Sequence, residues 1–344
     1  MYMTTLHILT SPYSPVNINN RADPFSIAAI KFIRYMTMYG WNCVHYGIDG
    51  SDVPCENVKC LGANTNNRAA DVQKYNDTAA KEIGKRKQPG DMIICFHGIE
   101  NKMACDHHLD LFHIEPSIGY ESSAVFAPYR AFVSYSHMHM YYGTSGKLMS
   151  PSWFDTVIYN GIDSTEFEFN DKKEDYFLCF GRIITAKGID LAIQATEAAG
   201  KKLIIAGPGS LSELGYNSIP KHVEVLGKQD ADQRKQLMKN AKAILGLTTY
   251  VEPFGNMVVE GFMAGTPAIT SDWGGFVETV TNGVTGFRCR DFKSVVDAIE
   301  NIDTINHHNC RDWAVTNCDD PVVHPQFDVW LKKIQTNDFY YTGK

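Results

Sequence analysis

The sequence predicts an α/β protein of two domains with mainly parallel sheets. Three observations carry that prediction. The chain has 344 residues, more than one hydrophobic core usually serves. Short apolar runs alternate with amphipathic helical runs, the order of βα units rather than of hairpins or repeats. Several apolar runs also end directly in glycine-bearing turns, at Phe180-Gly181, Ala206-Gly207 and Leu226-Gly227, which suits a strand handing over to a loop at its C-terminal end.

In the first half, residues 6–9 (LHIL) read as a strand, followed by a Pro- and Asn-rich loop from 11 to 24. FSIAAIKFIRYMTMYG spaces its apolar residues as a helix that stops at Gly40. Residues 43–46 form the next strand, and the polar stretch 64–88 predicts a surface helix. Residues 91–96 are a buried strand whose C-terminal end carries His97-Gly98. Residues 109–114 are a further strand, ending at Glu115-Pro116. Residues 121–147 are aromatic-rich and show no usable period. A second series starts near Tyr176, with strands at 177–180, 203–206, 222–226, 243–247 and 267–271, and one more at 284–289. Helices fall at 191–199, 232–241 and after Pro253, and PQFDVWLKKIQ reads as a last amphipathic helix. The charged stretch at 160–174 marks the boundary, so two Rossmann-like halves face each other across a cleft.

Composition narrows the function. The formal net charge is −7, which argues against coating nucleic acid but leaves room for a local basic groove. No apolar run approaches the ~20 residues of a membrane helix. The N-terminal residues have no basic start and do not read as a signal peptide. The nine cysteines are scattered, without a CxxC pair, as expected of free, mostly buried thiols in a reducing compartment; a cytoplasmic location and an unused sequon at Asn76 follow. GxGxxG and GxxxxGK[ST] are both missing from the sequence, which weighs against a dinucleotide oxidoreductase or a P-loop ATPase.

The chemistry concentrates in the second half. In Glu252-Pro253-Phe254-Gly255-Asn256-Met257-Val258-Val259-Glu260, a helix starting near Gly255 sets Asn256 and Glu260 on one face. Its unpaired N–H groups and dipole favour an anion, and Glu252 and Glu260 flank that anion as acceptors for sugar hydroxyls. An N-cap beside a solvated Glu is the plain structural alternative. Arg182 and Lys187 lie between a strand and a helix, at the sheet edge where α/β folds bind ligands, and suit a diphosphate; a surface loop would also hold them. Gly207 and Gly209 let a base or phosphate approach the backbone, or simply make a tight turn. Asp230-Ala231-Asp232 reads as a helix cap rather than a metal site. The histidines at 107–108, 137, 139 and 307–308 lack a set of partner ligands.

The order GR…KG, AGPG, LGK, EPFGNMVVEGFMAGTP and Gly286-Phe287 closely resembles the donor domain of retaining glycosyltransferases of family 4, with the GT-B fold and a Glu-x7-Glu signature at Glu252 and Glu260. The resemblance covers about residues 157–290. It implies an acceptor-binding domain at 1–165, a nucleotide-sugar donor domain at 166–320, and a C-terminal helix at 321–344 that crosses back onto the first. By that resemblance Arg182 and Lys187 hold the donor diphosphate, Glu260 the ribose and Glu252 the transferred sugar. Backbone at Phe254, Gly255, Asn256 and Met257 contacts phosphate or sugar, while Gly181, Gly207, Gly209 and Lys228 frame the phosphate and the base. A UDP- or GDP-sugar is the implied co-substrate and a glycan or glycoconjugate hydroxyl the acceptor, with no cofactor and no metal. Two alternatives stand beside it: a transferase acting on a modified base in DNA, and a non-catalytic nucleotide-sugar binding protein.

The first half departs from that pattern. Many members carry a Gly-Gly loop after the first strand, where this chain has SPYSPVNINNRADPF. The family places a histidine at the end of an N-domain strand, near the transferred sugar. His97, His113 and Glu115 compete for that place. Tyr129, Arg130 and Tyr135 are read either as lining an acceptor cleft or as an aromatic core stripe.

Overall fold

In a computed structural model of the chain, residues 3–17, 23–62, 65 and 67–336 are described. Part of the expected loop at 11–24, residues 18–22, lies outside them. Two compact units divide the chain: the described residues up to Val133, Met138–Tyr159 and those from Val323 onward form the first, and Ser134–His137 with Asn160–Val322 form the second. The changeovers thus fall at 159/160 and 322/323, against expected boundaries at 165 and 320.

The first unit comprises β1 (Thr5–Leu9), α1 (Pro24–Met38), β2 (Asn42–Ile48), β3 (Glu56–Leu61), α2 (Arg68–Arg86), β4 (Met92–Cys95), α3 (Lys102–Asp106), β5 (Phe112–Ile118), β6 (Tyr129–Phe132), most of α4 (Tyr135–Thr144) and β7 (Thr156–Val157). Its sheet runs β3-β2-β1-β4-β5-β6-β7, with every pair parallel. The central strands β1 and β4 are buried along their whole length, as a sheet covered on both faces requires. Asp23 caps α1 by accepting the Phe25 N–H at 3.0 Å, with Pro24 in the first turn.

Three expectations need correction here. β3 was not foreseen, because it is an edge strand that opens on exposed, polar Glu56 and Asn57 and keeps only a short apolar stretch. The helix expected on the surface, α2, buries Tyr75, Ala79, Ala80 and Ile83. The sequon residue Asn76 is buried with them, its amide donating to the Val72 and Glu100 carbonyls and accepting from Ala104 N–H. Finally, β5 begins at Phe112 and runs on to Ile118, through a register shift and Ser117 at φ +56°. The Glu-Pro is therefore inside the strand, not at its end.

The second unit comprises β8 (Tyr176–Phe180), α5 (Ile189–Ala198), β9 (Lys202–Ala206), β10 (Val223–Gly227), α6 (Ala231–Asn240), β11 (Ala243–Gly246), α7 (Asn256–Met263), β12 (Ala268–Ser271), α8 (Phe276–Thr279), β13 (Gly286–Cys289), α9 (Phe292–Asn301) and α10 (His307–Cys318). Its six strands are parallel in the order β10-β9-β8-β11-β12-β13. Asp230 closes a capping box with Gln233 at the start of α6. The last helix, α11 (Asp320–Thr336), joins the first unit from Val323 onward. There Val323, Phe327, Trp330, Leu331 and Ile334 enter one core with Phe32, Phe96 and Ile114. The Trp330 indole donates to the Phe154 carbonyl at 2.8 Å, and Trp41 donates to Asp328 at 2.8 Å. All nine cysteines are thiols, and all but Cys55 are buried. Among the described residues no helix is long and apolar enough to cross a membrane.

Candidate functional site

Each sheet reverses its winding once, between β1 and β4 in the first and between β8 and β11 in the second. Loops leaving the C-terminal ends of such neighbouring strands diverge and open a crevice, the usual ligand position in parallel sheets. In the second sheet those loops are 181–188 after β8 and 247–255 after β11, the segments that carry Arg182, Lys187 and Glu252.

The two loops are packed hard together. Gly188 takes φ +69°, and a Cβ there would stand 1.9 Å from the Leu247 carbonyl oxygen, so only glycine fits. Thr249 N–H donates to the Ala186 carbonyl at 2.9 Å. This approach lets Lys187 Nζ reach Glu252 Oε2 at 3.0 Å. Tyr250 completes the contact: Lys187 also donates to its hydroxyl, which itself donates to Glu252 Oε2 at 2.6 Å. Burial, reinforced by the Glu252 charge, raises the Tyr250 phenol far above its ordinary range, so it stays protonated. Gly275 N–H holds the Glu252 carbonyl, fixing the loop from behind. Arg182 is exposed and makes no ion pair among the described residues, which leaves its guanidinium open to an anion.

Gly255 sits at the N-cap of α7 with φ +89° and offers no side-chain oxygen to the first turn. A Cβ there would meet the Phe276 ring at 2.4 Å. The early N–H groups of α7, at Asn256 and Met257, are thus presented beside the loop that carries Glu252. Asn256 Oδ1 accepts from Asn160 Nδ2 at 2.9 Å. Phe254 is buried and serves packing. Glu260 pairs with Arg234 of α6, whose guanidinium also lies 5.3 Å from the Phe180 ring centre.

The glycine turn after β9 also has a structural part. Gly207 N–H donates to the Gly227 carbonyl at 2.7 Å, and the Pro208 carbonyl accepts from Ile183 N–H at 2.9 Å. The 207–209 turn therefore braces the Gly181 turn. Lys228 is exposed. Tyr250 and Arg234 were missed in the sequence: one lies two residues before Glu252, the other on a separate helix, and only folding joins them to the two glutamates.

In the first sheet the corresponding loops follow β1 and β4. His97 stands just past β4, half-buried, with its ring edge-on to Tyr13 and Phe25 at 5.7 Å each. Burial lowers its pKa, against the pull of Asp23 and Glu100. The Tyr13 hydroxyl donates to Glu100, and the Arg68 guanidinium lies 4.0 Å over the Tyr13 ring while pairing with Glu100 at 3.3 Å.

His113 and Glu115 do not share that place. His113 is the second residue of β5, at the N-terminal end of the strand, and its Nε2 meets the His108 carbonyl at 2.9 Å. Glu115 is wholly buried. Its oxygens accept from Tyr120 O–H (2.7 Å), Phe126 N–H (2.9 Å) and Ala127 N–H (2.7 Å). Burial raises its pKa to about 7 in spite of those donors. Arg130 is buried too, bound to Asp155 at 2.9 Å and to the Tyr141 hydroxyl at 2.6 Å, so it ties β6 to α4 and to the loop before β7. Among the described residues no three His, Cys, Asp or Glu side chains gather as a metal site.

Comparison with known proteins adds to this geometry. Residues 163–312, inside the second unit, match the family described as Glycosyl transferases group 1. An uncharacterised glycosyltransferase of Methanocaldococcus jannaschii is 34% identical over 154 residues, 38% of this chain and 39% of that one. The glycogen synthase of Mycobacterium tuberculosis is 32% identical over 163 residues, 43% and 39% of the two chains. The matched stretch is thus about two-fifths of these relatives' length. Solved structures agree over nearly the whole chain. AviGT4, a glycosyltransferase involved in avilamycin A biosynthesis, superposes with a TM-score of 0.72 at 15% identity, covering 97% of this chain and 98% of its own. HepE of Anabaena, solved with UDP-glucose, gives 0.71 at 15% identity, covering 96% and 100%. The fold is therefore that of the GT-B glycosyltransferases, two parallel-sheet α/β domains.

Proposed function

We propose that this chain is a glycosyltransferase that moves a sugar from a nucleotide-diphosphate sugar to an acceptor hydroxyl, with retention at the anomeric carbon and without a metal. One observation carries the reading: the two loops at the reversal of the second sheet bring Lys187 and Glu252 within 3.0 Å, beside open Arg182 and the uncapped start of α7. A diphosphate needs cations and N–H donors, and a sugar needs a carboxylate acceptor. Arg182, Lys187 and the α7 N–H groups stabilise the negative charge that grows on the leaving diphosphate. Glu252 orients the sugar hydroxyls. Glu260, held by Arg234, takes the ribose.

In the transfer, the acceptor oxygen bonds to the anomeric carbon on the face from which the diphosphate leaves. The carbon–phosphate oxygen bond breaks, and the acceptor's proton passes to the departing phosphate oxygen. No protein nucleophile enters, unlike a retaining hydrolase. The first unit takes the acceptor, a glycan or glycoconjugate, through the aromatic cluster at Tyr13, Phe25 and His97. Of the three candidates for the histidine role, His97 alone stands at a strand's C-terminal end. The similarity to a relative and a neighbour named as glycosyltransferases, and to HepE, solved with UDP-glucose, supports the reading and makes UDP the first nucleotide to test. GDP is the second, and the proposed location is the cytoplasm.

A thermal-shift screen of UDP-, GDP- and ADP-sugars tests the donor, because a ligand that binds only the folded state raises its melting point. One donor class should shift the midpoint, and transfer from it should persist in excess EDTA. No shift with any donor refutes the assignment, and loss of transfer in EDTA refutes metal independence.

A further inference from the structure

Tyr250 has no place in the roles given above, yet its phenol oxygen touches both charges of the site. Lys187 Nζ donates to that oxygen, and the hydroxyl donates to Glu252 Oε2 at 2.6 Å. The loop itself is fixed by other atoms: the Tyr250 carbonyl accepts from the Trp273 indole at 3.1 Å, and Gly275 N–H holds the Glu252 carbonyl. The phenol is therefore not required to shape the backbone.

The ion pair poses a problem for a donor site. Lys187 is shared: its ammonium already donates to Glu252 and to the Tyr250 hydroxyl, so a phosphate that draws it away weakens its hold on the carboxylate. A part-buried carboxylate that loses its cation is costly unless another donor remains on it. The Tyr250 hydroxyl is such a donor.

Resting on the donor reading above, we infer that Tyr250 is a positioning residue: its hydroxyl keeps the Glu252 carboxylate in place when a donor diphosphate takes over Lys187, so that the site tells a sugar-bearing donor from the bare nucleoside diphosphate. It acts through Glu252 and touches no reacting atom. The phenol's upward shift, from burial and then the neighbouring carboxylate, keeps it a donor throughout the working pH range.

The test is Tyr250→Phe, which retains the ring and removes only the hydroxyl. Wild type and variant are titrated calorimetrically with UDP and UDP-glucose, and with GDP and GDP-mannose. The quantity read is the ratio of the two dissociation constants within a pair. Affinity for the bare diphosphate should stay within about threefold, while the preference for the sugar-bearing donor falls about tenfold, the usual effect of one lost hydrogen bond to a charged group. In a Glu252→Ala background, Tyr250→Phe should change the ratio no further. A parallel loss of both affinities, an unchanged ratio, or an added loss in the Glu252→Ala background each overturns the inference. Wild type that binds neither pair is a different result: it refutes the donor reading itself, and this inference with it.

Discussion

The two sheet reversals are topologically alike and chemically opposed. After β8 and β11 the loops bring together an ammonium, a carboxylate and a phenol, with an open guanidinium and an uncapped helix start beside them. After β1 and β4 they bring together Tyr13, Phe25 and His97, with Arg68 and Glu100 around Tyr13. Parallel winding decides where loops part and a ligand can enter; it does not decide which ligand. The residues placed there do, and the second reversal suits a polyanion bearing hydroxyls whereas the first suits the flat apolar face of a small polar molecule.

The sharpest way to break that comparison is to remove the charges of the second reversal. Arg182→Ala and Glu252→Ala should each lower the transfer rate by about 10² to 10³, the loss seen when one preorganised donor or acceptor is removed from a developing charge. Neither residue belongs to a core, so the melting midpoint should stay near that of wild type. Rates at saturating donor, read beside melts of the same preparations, check both halves. Near-normal transfer in both variants would mean that the polyanion does not bind there.

Most of the second unit was legible in the sequence, and the reason is local. β8, β9 and β10 are apolar runs closed by glycine turns, Arg182 and Lys187 directly follow the first of them, and Glu252 and Glu260 flank Gly255 in one short segment. What escaped was long-range: Arg234 and Tyr250 acquire meaning only when α6 and the β11 loop fold against Glu260 and Glu252. In the first unit, the strand end at His97 was visible because a clean apolar run precedes it. β3 was not, since an exposed edge carries no such run. The two Glu-Pro pairs mark the limit most clearly. Glu115-Pro116 and Glu252-Pro253 look alike in the sequence, but one lies within a strand with its carboxylate wholly buried, and the other in a loop whose carboxylate meets a lysine.

That pair yields the next prediction. Glu115 is an ordinary carboxylate in the unfolded chain, and burial raises its folded pKa to about 7. The folded state therefore binds its proton more tightly. The stability gained from that proton is complete below the unfolded value, declines as pH rises through the interval, and is gone above about 7. The expected loss is about 2–3 kcal/mol between pH 5 and pH 8. Glu115→Gln mimics the protonated form: its oxygen can take the Phe126 and Ala127 N–H groups, and its NH₂ can donate to Tyr120, whose hydroxyl turns to accept. Denaturant melts at both pH values should show the variant losing less stability than wild type on going to pH 8. Equal losses would mean that Glu115 titrates normally and that its burial carries no charge penalty.

The smallest expected effect tests whether the first reversal is as separate in its chemistry as its residues suggest. Tyr13→Phe removes the hydroxyl that donates to Glu100 but leaves the ring beneath Arg68 and beside His97. Burial, helped by Glu100, pushes that hydroxyl's pKa up to about 12, so at neutral pH the substitution deletes a neutral donor and no charge. Its bond is part-buried and should be worth about 0.5–1.5 kcal/mol of stability. The dissociation constant for the bare nucleoside diphosphate should not move beyond about twofold, since a diphosphate gains its binding from cations and helix N–H groups, and those belong to the second reversal. Melts and calorimetric titration of the same variant read the two quantities together. A tenfold loss of nucleotide affinity would place diphosphate binding at Tyr13 as well, and the contrast between the reversals would then be one of degree rather than of kind.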